Sequence, residues 1–112
     1  MPGVEQRRHP RYHTETEVIV YLGTGTVTGH ISQISRGGCL IFPALPPQSN
    51  PAIRMSFRLS EELPYINCKG EIVYSITDRG TGVAFREISQ YNQELITEFF
   101  EKRLSAEKAT GA

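Results

Sequence analysis

Apolar and polar residues alternate along most of this chain with a period of two, and the period changes once, near residue 90. Between Glu15 and Gly23, Val18 and Val20 fall on one face and Ile19 and Tyr21 on the other, as in a strand whose side chains point alternately to opposite sides. Thr24-Gly25 supplies a turn, and Thr26 to Ser35 resumes as a second strand. Gly37-Gly38 permits a tight turn into Cys39-Leu40-Ile41-Phe42, a short apolar strand closed by Pro43. The three prolines between Ala44 and Pro51 make that stretch a loop. Ile53, Met55, Phe57 and Leu59 alternate strictly, and Glu61 to Pro64 turns the chain. Tyr65 to Ile76 and Thr81 to Phe85 then predict a hairpin across Thr77-Asp78-Arg79-Gly80. Strands at these spacings predict a mainly β fold, a six-stranded antiparallel β-barrel that is closed or nearly so.

Beyond residue 90 the repeat becomes helical. Tyr91, Leu95, Ile96, Phe99, Phe100 and Leu104 recur at helical spacing, with Glu94, Glu98, Glu101, Lys102 and Arg103 between them. Ser89 is placed to cap the first turn with its hydroxyl oxygen. A C-terminal amphipathic helix over about 89–106 is expected to lie on the barrel, with Ser105 to Ala112 fraying after the stripe ends. Residues 1–12 have few apolar side chains and read as an arm preceding one domain, 13–108.

Composition narrows the class. The 112 residues are 38% hydrophobic and 21% charged, enough for one modest core, and no apolar run is long enough to cross a bilayer. The polar start, Met1-Pro2-Gly3-Val4-Glu5, lacks an apolar export segment. Cys39 and Cys68 sit within apolar alternation and read as reduced core residues, which with the polar start points to the cytoplasm. A formal net charge of zero argues against a general binder of nucleic acid polymers.

Positive charge is instead local, in Arg7-Arg8-His9-Pro10-Arg11. Pro10 disfavours helix at His9, so the segment is extended, and Arg7 and Arg11 project from the same side about 13 Å apart. A guanidinium grips phosphate bidentately, pairs with the O6/N7 edge of guanine, or stacks on a base, which suits an anionic and planar ligand. A second motif, Gln33-x-Ser35-x-x-Gly38, puts two polar side chains on one face of a strand end before a turn. Taken singly, each has a plainer account, a solvated basic tail and an ordinary β-turn. His9 and His13 have metal-ligand spacing only on a helix, and no third ligand or activating base for a nucleophile is apparent, so no metal and no catalytic constellation is expected.

The pair of motifs resembles the PilZ family, whose signature is Arg-x-x-x-Arg on an N-terminal arm followed by Asp/Asn-x-Ser-x-x-Gly at a strand-to-strand turn. Arg7 and Arg11 match the first element, Arg8 the doubled arginine common in the family, and Ser35 and Gly38 the second. Gly82-Val83-Ala84-Phe85 resembles the family's last strand, and a helix follows. The resemblance implies a six-stranded barrel that binds the bacterial second messenger cyclic di-GMP, needs no cofactor and is not an enzyme. It makes Arg7, Arg8, Arg11, Gln33, Ser35 and Gly38 the ligand-binding set. It also implies a downstream protein partner, met by a surface altered when a mobile arm closes on the nucleotide.

Gln33 departs from the pattern. A carboxylate accepts strongly from guanine N1–H and N2–H₂, whereas the Gln amide is neutral and one methylene longer. Losing a charge-assisted bond costs on the order of 1–2 kcal/mol, about tenfold in affinity. The alternative is therefore a PilZ-fold interaction adaptor that has lost nucleotide binding. A barrel for single strands would need exposed aromatics interleaved with basic residues, and Tyr65, Tyr74 and Phe85 carry no such track in the sequence.

Overall fold

The computed structural model describes residues 10–23 and 25–111, with side chains through Ala106. Six strands form a closed antiparallel barrel: β1 (Tyr12–Leu22), β2 (Gly25–Ile34), β3 (Gly38–Phe42), β4 (Ala52–Phe57), β5 (Ile66–Ile76) and β6 (Gly80–Glu87). Their order around the barrel is β1-β2-β3-β6-β5-β4, and pairing of Val18 with Phe57 and Val20 with Met55 closes β4 onto β1. The fold class expected from the alternation is the one observed. Strand ends differ by a few residues. β1 starts at Tyr12 rather than Glu15, and β4 ends at Phe57, short of Leu59.

One face of every strand fills the interior. Val18, Val20, Ile31, Ile34, Ile41, Met55, Phe57 and Ile66 are each at most 1% exposed. Burial at this level contributes roughly 1.5–3 kcal/mol for each large side chain. Cys39 and Cys68 are buried free thiols in the same core. Burial pushes the Cys39 thiol up strongly and the Cys68 thiol up to about 11. The turn before β6 demands glycine: Gly80 has φ +87°, and a Cβ there would lie 2.7 Å from the Ile41 carbonyl oxygen.

The helix α1 runs from Gln90 to Gly111, beyond the point where its apolar stripe ends. Ser89 caps it as expected, its Oγ accepting from the Asn92 amide at 3.0 Å. Only the middle of the stripe meets the barrel. Ile96 and Phe100 are buried, and Leu95 and Phe99 are partly so. Tyr91 and Leu104, expected on the buried face, are 66% and 47% exposed. At about 1.5 Å per residue the helix is some 33 Å long, and its packed stripe occupies only the part between these two exposed residues. Tyr12 anchors it to β1, its ring stacked on Phe100 with centroids 5.0 Å apart and its hydroxyl donating to Glu101 Oε2 at 2.7 Å. Tyr12 thus belongs to the packed body, not to the arm expected over 1–12.

Candidate functional site

The end of β2 is shaped by a bulge. Ile31 pairs with Ile41 and Gln33 with Leu40, so β2 carries one extra residue, Ser32, against β3. Strict alternation from Ile31 would send Gln33 into the core. With the extra residue, Ile31 and Ile34 both point inward, and half-buried Gln33 lies on the outside beside Ser35. The turn that follows is tied by the Ser35 amide, which donates to the Gly38 carbonyl at 2.9 Å. The Gly37 amide donates to Ser35 Oγ at 3.1 Å, which leaves the hydroxyl hydrogen for another acceptor.

Gly38 is needed for a reason other than the expected tight turn. Its φ is not positive. It pairs with Ala84 at the start of β3, and a Cβ there would run into the Val83 carbonyl oxygen and approach the Ala84 Cα within 3.3 Å. Absence of a side chain lets β3 close against β6, and the Phe85 amide donates to the Gly37 carbonyl at 2.8 Å. The turn is therefore sewn to β6.

A cleft of about 490 Å³ opens in front of this turn, within the usual range for small-molecule sites. Arg11, Gln33, Ser35, Gly37 and Gly38 line one side of it, and Val73 and Tyr74 of β5 with Gly82 of β6 line the other. Four of the six residues singled out from the sequence thus share one cavity. Arg7 and Arg8 lie outside the described residues, as does His9. Exposed Arg11 is the one charged side chain among the described lining residues. A guanidinium without an ion-pair partner among the described residues, beside an amide, a hydroxyl and backbone N–H groups, suits an anion with polar ring edges.

Val73, Tyr74 and Gly82 were not legible as site residues. Tyr74 pairs with Gly82, and its ring occupies the space that a Cβ on Gly82 would take. The pairing of β5 with β6 slips between Ile72 and Tyr74, so the alternation gave no warning that Val73 and Tyr74 would be 63% and 45% exposed. Arg58 lies 4.9 Å from the Tyr65 ring centroid and Arg54 5.6 Å from that of Tyr21. The basic–aromatic juxtaposition absent from the linear sequence therefore exists across strands. Among the described residues no three His, Cys, Asp or Glu side chains group as metal ligands, and no helix is long and apolar enough to cross a membrane.

Among curated proteins none matches this chain. Several solved structures share its fold, among them three that can be compared over most of this chain. The Bacillus subtilis inhibitor of motility MotI/DgrA is 19% identical, covering 89% of this chain and 52% of its own, with a TM-score of 0.72. MrkH of K. pneumonia, solved as a complex with c-di-GMP, is 19% identical, covering 93% and 55%, with a TM-score of 0.68. The PilZ domain of CeSA from a cellulose-synthesizing bacterium is 22% identical, covering 77% and 88%, with a TM-score of 0.55. The chain spans about half the length of the first two. A family model, that of the PilZ domain, matches residues 5–102. With the match covering nearly its whole length, the chain belongs to the PilZ domain family.

Proposed function

We propose that this protein is a bacterial cyclic di-GMP receptor whose arginine arm closes on the nucleotide over the cleft between the β2–β3 turn and β5. The observation that carries the reading is the meeting of Arg11 with Gln33, Ser35 and Gly38 around one cavity, from segments more than twenty residues apart. Arg11, joined by Arg7 and Arg8 from the arm, holds phosphates and guanine edges. Ser35 donates its free O–H to a phosphate oxygen, and Gln33 accepts from a guanine edge with its amide carbonyl. The c-di-GMP complex of the structurally similar MrkH and membership of the PilZ family support this ligand. The role is recognition rather than catalysis. On this reading the protein works in the bacterial cytoplasm, in keeping with two buried free thiols, and passes the signal to a protein partner.

Gln33 favours a second reading, a PilZ-fold adaptor that no longer binds nucleotide and acts through protein contacts alone. Calorimetric titration of the purified chain with cyclic di-GMP separates the two. Saturable binding at micromolar ligand or below supports the receptor. No heat of binding, in the parent and in Gln33→Asp alike, overturns the receptor and favours the adaptor.

A further inference from the structure

Helix α1 touches both halves of the candidate site from behind. Gln93 Nε2 donates to the Arg36 carbonyl oxygen at 2.9 Å, reaching 57 residues along the chain into the turn between Ser35 and Gly38. The bond is partly buried, and Gln93 sits in the first turn of α1, just after the Ser89 cap. Further along the helix, Phe100 and Glu101 hold Tyr12, the residue next to Arg11. One rigid element therefore fixes both the turn and the residue next to Arg11, which β1–β2 pairing already sets side by side, with Tyr12 opposite Ile34 and His13 opposite Gln33.

We infer that Gln93 is a positioning residue for the ligand site, and that docking of α1 on the barrel and ligand binding in the cleft are coupled through it. The inference rests on the receptor reading above. Three backbone groups shape the turn. The Gly37 carbonyl is held by the Phe85 amide, the Gly38 carbonyl by the Ser35 amide, and the Arg36 carbonyl by Gln93. The first two bonds come from the barrel and the turn itself. The third is the only one of them supplied by α1, so displacement of the helix releases the turn at that point alone. Coupling of this kind is reciprocal: a ligand that needs the turn in place also holds the helix down.

Gln93→Glu keeps the shape of the side chain but presents a carboxylate to the Arg36 carbonyl in place of N–H donors. Cyclic di-GMP titrations on the full chain should show affinity reduced about three- to tenfold in Gln93→Glu and in Gln93→Ala, the range of one hydrogen bond. In the ligand-free variants the Gly37 and Gly38 amide resonances should move, while those of Val18, Val20 and Phe57 in the barrel wall stay in place. A merely space-filling side chain predicts the opposite, with Gln93→Glu binding as the parent does and its turn resonances unmoved. Equal affinity in parent and both variants overturns the inference while leaving the receptor reading intact. No binding by the parent overturns the receptor reading, and with it this role for Gln93.

Discussion

Arg11 and Gly38 make opposite kinds of contribution to the same cleft. Arg11 is exposed at its edge and supports nothing in the core, so Arg11→Ala should remove measurable cyclic di-GMP binding while shifting stability by less than about 0.5 kcal/mol. Unchanged affinity by calorimetry would refute its role. Gly38 contributes by what it lacks. Gly38→Ala forces a Cβ against the Val83 carbonyl and should lower stability by about 1–3 kcal/mol, read as a lower urea midpoint, with binding weakened as β3 shifts from β6. Gln33 tests the recognition itself. Outside the core and without a hydrogen-bond partner among the described residues, it can be exchanged with little cost to the fold. Gln33→Asp should tighten binding about tenfold, because a carboxylate then faces two N–H donors. Equal binding would mean that the side chain points away from guanine.

At the scale of elements, α1 is attached to the barrel by few groups, and one of them titrates. Burial, reinforced by the hydrogen bond to Glu101, pushes the Tyr12 phenol up from 10.0 to about 12. The folded protein thus holds the Tyr12 proton more tightly than the unfolded chain does. Its contribution is complete below the unfolded value and is lost as pH rises from about 10 to about 12. Burial of Cys68 acts in the same direction from 9.0 to about 11. Thermal unfolding followed from pH 8 to 12 should therefore show a falling melting temperature. In Tyr12→Phe the upper part of that fall should be shallower, while the ring stack on Phe100 is preserved. A curve as steep in the variant as in the parent would show that Tyr12 does not report on helix docking. The helix start offers an independent check, since Ser89→Ala removes the oxygen that accepts from Asn92 and should cost about 1 kcal/mol.

The whole molecule joins two segments far apart in sequence, because antiparallel pairing of β1 with β2 sets Tyr12 opposite Ile34 and His13 opposite Gln33 and so brings Arg11 to the β2–β3 turn. A ligand bridging them binds the folded state alone and must stabilise it. At a hundredfold excess over Kd the gain is about 2.7 kcal/mol, or an upward shift of roughly 10 °C for a domain of this size. Differential scanning fluorimetry with and without cyclic di-GMP measures this directly, and an unmoved transition would favour the adaptor. The same ligand should protect amides at residues 4–11, with ordering that costs roughly 1–2 kcal/mol per residue offset by the arginine contacts. Hydrogen exchange showing that segment equally protected without ligand would remove the arm from the signalling step.

Period-two alternation was enough to place the six strands, because burying one face of each strand is the dominant energy and leaves its mark on every second residue, while closure was decided by the pairing of β4 with β1. The change of period and Ser89 likewise determined the helix and its start. The motif residues were legible because Arg, Ser and Gly carry their chemistry in their type. Extra residues in the ladders were not legible, since a bulge is a property of two paired strands and neither one encodes it alone. Ser32 turns Gln33 outward, and the slip between Ile72 and Tyr74 brings Val73 and Tyr74 to the cleft. The burial of Tyr12, which looked like part of a polar arm, was decided by Phe100 and Glu101 nearly ninety residues away. Local pattern thus determined which elements form. Long-range packing decided which of their side chains share a site, because that depends on register and on partners that sequence neighbours do not record.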